Sequence, residues 1–406
     1  MHFREVLRDL AGPRASLWKQ SHNPWSLVRV QHGPPKTTNL CLMSTRTSRL
    51  PLIDALKAAA SQLIVLHHLA LYGPMSDTAY GLAPAFIDWL CQDARIAVQV
   101  FLVVGGFLAA RSLAPQGPSP IERPLALVWK RYRRLVVPLL AAIGLAIASA
   151  AIARIWMRLE SIPAAPTSPQ LLAHALLLQN LLGYESLSAG VWYVAIDFQL
   201  FALTVALLWL VRQITPGAGG YRHLAPALVS ILALASLLHF NRDAAWDNWA
   251  LYFFGVYGLG VLAFWASQRE RSTLWLGAIA AIGLAALLLD FRSRIAVALL
   301  VALLLGATWQ VRTASWKWLD SRPLAFLGGI SYSVFLVHYP VCLLVNAAFA
   351  ALAPGSPLGN AFGLMIAWGA SILAGALFHR HVEMPAGASQ LRHAASRLAG
   401  GACGAR

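Results

Sequence analysis

The sequence predicts an all-α bundle that crosses a membrane about ten times with both chain ends in the cytoplasm. Three observations carry this. Hydrophobic residues make up 58% of the 406, charged residues only 12%, and the mean hydropathy is +0.61; soluble domains carry about a quarter of charged residues. Apolar runs of bilayer length recur along the chain, each able to cross about 30 Å of hydrocarbon as a helix. The basic residues between those runs gather on one side.

In chain order the spans are expected at about 52–71, 95–112, 135–153, 190–210, 225–240, 250–267, 273–289, 295–309, 326–348 and 360–378. With a cytoplasmic N-terminus, the loops on that side hold Arg111, Arg123, Lys130, Arg131, Arg133, Arg134, Arg212, Arg222, Arg269, Arg271, Arg312, Lys317 and Arg322. The opposite loops hold Arg154, Arg158, Arg242, Arg292 and Arg294. Eight basic residues before Leu52 and four after Phe378 add to the bias. The net charge of +16 is therefore explained by topology, and no nucleic-acid partner is expected.

The apolar stretch Gln170–Leu182 is short for a span and is expected as a re-entrant or interfacial helix. Counting it as a span would reverse every later loop and spoil the charge bias. The halves show no duplication, which disfavours inverted-repeat transporters. Residues 1–50 lack helical periodicity and the apolar core of a signal peptide, so they are expected as a basic, disordered extension ahead of a membrane domain at 51–385. Translation from Met43 is an equally weighted alternative. Residues 386–406, rich in Ala, Gly and Arg, are expected as a cytoplasmic tail. Cys41, Cys91, Cys342 and Cys403 have neither metal-ligand spacing nor the pattern of a disulfide framework, so no metal is expected.

Ionisable groups within spans are costly unless paired or hydrated, so each marks a candidate site. Lys57 and His68 are eleven residues apart, which leaves them about 20° apart on one face and about 16.5 Å apart along the helix. His67 points about 100° away from His68. Against a functional role stands the reading in which Lys57 snorkels and the histidines bond neighbouring helices. The stretch WKRYRRLVVP, from Trp129 to Pro138, holds Arg131 and Arg134; it serves either as a positive-inside anchor or as a site for a phosphorylated ligand, since guanidinium forks match phosphate oxygens. In GVWYVAIDFQLF, from Gly190 to Phe201, Asp197 lies in an apolar span with Gln199 two residues later. Its natural partner is a histidine or arginine on another helix, structural or functional. In LGGISYSVFLVHYP, Ser331 and His338 share a face at a separation of seven residues, and His338 taken singly reads as a packing or hydrogen-bonding residue rather than a catalytic one.

Together these segments resemble the acyltransferase 3 family of integral-membrane O-acyltransferases, over about Pro51 to Pro385. IDALKAAASQLIVLHH is similar to the family's opening, in which a basic residue precedes a histidine by eleven positions, and the count from Lys57 lands on His68. VFLVVGGFLAA, RYRRLVVP, VWYVAIDFQLF, FFGVYGLG, LGGISYSVFLVHYP and FHRHVEMP resemble later family segments in the same order. Four positions depart from the pattern: Lys57 stands for Arg, Asp197 for Glu, Phe201 for Tyr and Gly105 for Ser.

The resemblance implies acyl transfer, acetyl by default, from acyl-CoA as co-substrate to a hydroxyl of a carbohydrate or cell-surface glycan, in a bacterial inner membrane and with no bound cofactor. It makes His68 the general base and Asp197 the residue that orients it, if their helices meet. Lys57, Arg131 and Arg134 would hold the donor phosphates. Trp192, Tyr193, Gln199, Ser331, Tyr332 and His338 are candidates to line the pocket. The donor would then sit at the cytoplasmic face while His68 lies near the outer end of its span, so the group would cross the membrane. The competing readings are a secondary transporter or a polysaccharide exporter, with Lys57, His68 and Asp197 as an ion relay.

Overall fold

A computed structural model describes residues 50–157, 162–215, 218–309 and 317–387. All but Leu50 of the expected N-terminal extension, all but Ala386 and Gly387 of the expected C-terminal tail, the alternative start at Met43, Cys41, Cys403, Arg158 and Arg312 lie outside these residues. The helices in order are α1 (Pro51–Leu71), α2 (Pro74–Ala79), α3 (Pro84–Gln92), α4 (Ala97–Leu113), α5 (Pro124–Trp156), α6 (Ser168–Ala175), α7 (Val191–Ile214), α8 (Ala218–Leu238), α9 (Ala250–Ser267), α10 (Ser272–Leu289), α11 (Ser293–Thr308), α12 (Arg322–Leu352) and α13 (Pro357–Phe378). The described residues form no strand, only one isolated bridge.

Each of the ten expected spans coincides with a helix, and eight are long and apolar enough to cross a membrane, α3 and α4 counting as one. The chain is a multi-pass integral membrane protein. The other two fall short for different reasons: α1 carries Asp54, Lys57 and two histidines, and α11 has only 16 residues. The stretch at 170–182 differs from expectation. Only Ser168–Ala175 is helical, started by a capping box in which Thr167 and Gln170 bond each other's backbone, and the chain then unwinds into turns. His174 pins this segment. Its Nδ1 bonds the Gln170 carbonyl at 2.8 Å and its Nε2 accepts from Leu187 N–H at 3.2 Å, and burial holds the ring below the usual imidazole range.

The long helices run alternately between two ends. At one end, Arg212 donates to the Ile121 carbonyl, Arg269 to the Arg222 carbonyl, and Arg111 lies over Trp309. This is the basic end. At the other, the histidine end, His67 meets the Leu90 carbonyl, Asn346 donates to Tyr72 and Arg292 to the Leu237 carbonyl.

Helix α9 is buried over nearly its whole length and is flanked by α4, α7, α8, α10 and α11, while α12 gathers α1, α5 and α13. Lipid tails are as apolar as leucine, so such helices associate through close packing, which small residues allow. A Cβ at Gly106 would strike the Tyr257 carbonyl, and one at Gly260 the Val103 carbonyl, so these glycines let α4 and α9 touch backbone to backbone. The outward faces carry lipid-facing side chains such as Leu288, Ile155 and Phe362. The two groups of helices meet where α1 contacts α4 and α5 contacts α7. The candidate site lies on that seam.

Candidate active site

On α1, His68 is buried and faces α12. Its Nδ1 lies 2.6 Å from His338 Nε2, and the two rings are tilted by only 7°. The proton arrangement of the uncharged pair follows from one further contact, because His338 Nδ1 lies 3.2 Å from the Val334 carbonyl. A carbonyl only accepts, so His338 Nδ1 carries the hydrogen and His338 Nε2 offers a lone pair. His68 Nδ1 is then the donor. His68 Nε2 is left with its lone pair and no hydrogen-bond partner among the described residues. This geometry holds an imidazole in the tautomer a general base needs.

His67 is engaged elsewhere, its Nδ1 bonding the Leu90 carbonyl of α3 at 2.7 Å. His67→Ala is therefore expected to lower stability by about 0.5–1.5 kcal/mol and to leave turnover near wild type, as thermal denaturation and an activity assay of the purified protein will check. A mutation at His338 is expected to act on chemistry instead. His338→Ala should remove part of the roughly 10²–10⁴-fold that general-base catalysis contributes and leave the KM for the acyl donor unchanged. A rise in KM with unchanged kcat would instead assign His338 to substrate binding.

The expected contact between His68 and Asp197 is not made. Asp197 on α7 accepts from Arg131 Nη2 on α5 at 2.5 Å, as the need for a cationic partner on another helix foretold, while His68 is paired with His338. The reason is register: α12, not α7, lies against the histidine face of α1. Asp197 is also bordered by Gly105, where a Cβ would sit 3.2 Å from its Oδ1 and 3.4 Å from the Tyr257 ring. The absent side chain at 105 leaves room for the carboxylate. Arg131 lies over the Phe201 ring at 5.3 Å, and its side chain keeps 30% exposure.

Lys57 sits nearer the basic end on the same face as His68, among the charges of Asp54, Glu383 and Arg134. Glu383 lies in a π-helical turn, His379–Glu383, and accepts from Ser333 Oγ at 2.5 Å, with His379 Nδ1 at 2.9 Å. Extra-wide turns of this kind gather at functional sites. The Ser333, His379 and Glu383 cluster was missed as a site, although the segment FHRHVEMP that carries two of its members stood out in the sequence. Arg134 is exposed, whereas Arg131 is engaged by Asp197. Among the pocket candidates, Tyr332 donates to the Leu135 carbonyl at 3.1 Å, in the turn before Pro138, and Ser331 donates to Gly328 of its own helix. Gln199 Nε2 is buried without a partner among the described residues. Tyr193 stacks edge-on with Phe335 at 5.4 Å and Trp192 with Tyr193 at 6.3 Å; Phe335 in turn lies 6.1 Å from His338. Gly190, at φ +82°, caps α7 in a left-handed conformation and leaves room for the Phe335 ring.

A protein-family model for an acyltransferase domain, Acyl_transf_3, matches residues 50–380. The chain belongs to the acyltransferase 3 family. No curated protein and no solved structure matches it at a significant level. This acyltransferase is thus a membrane enzyme that transfers acyl groups, and its match begins one residue before α1 and ends inside the π-helical turn that carries Glu383.

Proposed function

We propose that this acyltransferase moves an acyl group, acetyl by default, from acyl-CoA to a hydroxyl of a carbohydrate or cell-surface glycan, across a bacterial inner membrane in which both termini are cytoplasmic. The observation that carries the reading is the His68–His338 pair, which leaves His68 Nε2 available as a base near one end of the bundle while the cationic groups that suit donor phosphates lie toward the other. Lys57 and Arg134 hold the phosphates. Arg131, tied to Asp197, lines the path between them and the histidines. Asp197 acts through Arg131 rather than through His68.

In the reaction His68 Nε2 takes the proton of the acceptor hydroxyl as its oxygen attacks the thioester carbonyl. The new C–O bond forms, the C–S bond breaks, and the proton on the imidazole passes to the departing thiolate. An ion relay would need Lys57, His68 and Asp197 in one line, but His68 and Asp197 are committed to different partners, which disfavours a transporter.

The test compares surface polysaccharide by mass from cells with and without the protein, alongside transfer of label from acyl-CoA in membranes. The expected result is a mass increment of one acyl group per modified sugar and label in the same glycan. Identical masses and no labelled glycan would overturn the reading.

A further inference from the structure

On the lipid side of the bundle, α5, α12 and α13 border a groove of about 380 Å³ that nothing in the transfer step above uses. Its volume falls within the roughly 300–1,000 Å³ of ligand pockets. The floor is buried and consists of Val337 and Pro340 of α12, Ser149 of α5 and Phe378 of α13. The rim is exposed, with one leucine from each helix: Leu145, Leu344 and Leu377. Ala374 of α13 puts only a methyl group into the space between them.

The lining selects a hydrocarbon chain. Apart from Ser149 and His381, every side chain in it is apolar, and the solvent it faces is itself hydrocarbon over about 30 Å. A lipid tail seated there makes dispersion contacts along the whole floor. On α12 the groove runs from Val337 to Leu344, two turns or about 10.5 Å, which suits part of one chain laid lengthwise.

One end of the groove is polar. His381 belongs to the lining and is exposed, and Arg380 beside it is exposed as well. Both lie in the π-helical turn that follows the end of α13 at Phe378, toward the basic end of the bundle. The neighbouring carboxylate, Glu383, accepts from Ser333 of α12 and from His379, so it is engaged within the protein. A guanidinium and an imidazole at the mouth of an apolar groove match a phosphate joined to hydrocarbon.

We infer that the groove between α5, α12 and α13 binds one chain of an anionic phospholipid from the leaflet at the basic end, with the headgroup phosphate at Arg380 and His381. Val337 and Pro340 lie on either side of His338 in the sequence, and Pro340 has no amide hydrogen to complete the helix ladder at this turn. The bound chain therefore braces the part of α12 that presents His338 to His68. That consequence rests on the acyl-transfer reading; occupancy of the groove does not.

The purified full chain, stripped of lipid in detergent and titrated with phosphatidylglycerol or phosphatidylcholine, tests this by native mass spectrometry and thermal unfolding. Wild type should retain phosphatidylglycerol in preference to phosphatidylcholine, and its unfolding temperature should rise with the bound lipid. Ala374→Phe, which fills the groove, should lose at least tenfold of that retention. Arg380→Ala, at an exposed position that a folding defect will not confound, should lose about fivefold, the effect of one basic residue at an anionic lipid surface. No retention, equal retention of the two lipids, or retention by both variants equal to wild type would overturn the inference. Phosphatidylglycerol should also raise the kcat of acyl transfer in wild type; binding without that rise would overturn the bracing role. His68→Ala should bind the lipid as wild type does while losing transfer, which separates failure of the site from failure of the transfer reading.

Discussion

Replacing His68 with alanine should lower acyl transfer by about 10²–10⁴-fold, the range that a positioned general base supplies, without lowering the amount of protein in the membrane. Proton placement, rather than burial, makes His68 the base. His338 holds its own hydrogen toward Val334, so its Nε2 accepts from His68 Nδ1 and a free lone pair is left on His68 Nε2, the atom proposed as the base. Alanine removes that lone pair and strands the His338 acceptor, at a cost of about 1–3 kcal/mol. His68→Gln separates the two effects, since its amide N–H still donates to His338 but cannot take a proton at neutral pH. Both variants should be inactive, and the glutamine protein should be the more stable. The measurement is label transferred from acyl-CoA, normalised to protein. Wild-type turnover in His68→Gln would remove His68 from the chemistry.

Loss of Asp197 is expected to give the largest change in stability. Its carboxylate and the Arg131 guanidinium meet at 2.5 Å inside the bundle, where Asp197 is nearly inaccessible. Deleting one member of such a pair leaves the other charge uncompensated, which costs about 3–5 kcal/mol, with the lower end expected here because the Arg131 side chain is only partly enclosed. Asp197→Ala should therefore lower the unfolding temperature in detergent sharply. The double variant Asp197→Ala with Arg131→Ala should recover part of the loss, because no charge is stranded. Additive losses would show that the two residues do not act as a pair. Activity should fall in the double variant, since it loses Arg131, the cation proposed to line the path between donor and histidines.

Much of the architecture is legible in the residues alone. Ten apolar segments each mark a helix that forms, although α5 begins at Pro124, well ahead of the span expected from about 135, and α8 at Ala218 rather than about 225. The shared face of Lys57 and His68 is equally a matter of helical period; His68 turns to His338 of α12, and Lys57 lies among the charges of Asp54, Glu383 and Arg134. His67 was set apart from its neighbour by the same geometry, and its bond to Leu90 gives that separation a structural cause. The need of Asp197 for a cationic partner was also readable, because an isolated carboxylate in hydrocarbon is too costly to persist.

What periodicity could not supply was which helix meets which. Asp197 was expected to orient His68 if their helices met, and His338 to pack or hydrogen-bond; the partner that α12 brings to the histidine face of α1 is His338, while Asp197 pairs with Arg131. Helical phase is local, encoded by the hydrogen-bond ladder of a single segment, and so membrane crossing, helix order and the face shared by Lys57 and His68 are properties of the chain read in one dimension. Partnership between His68 and His338, 270 residues apart, and between Arg131 and Asp197, depends on close packing between helices in lipid, where no water-driven force distinguishes one apolar face from another and contact geometry alone selects the neighbour.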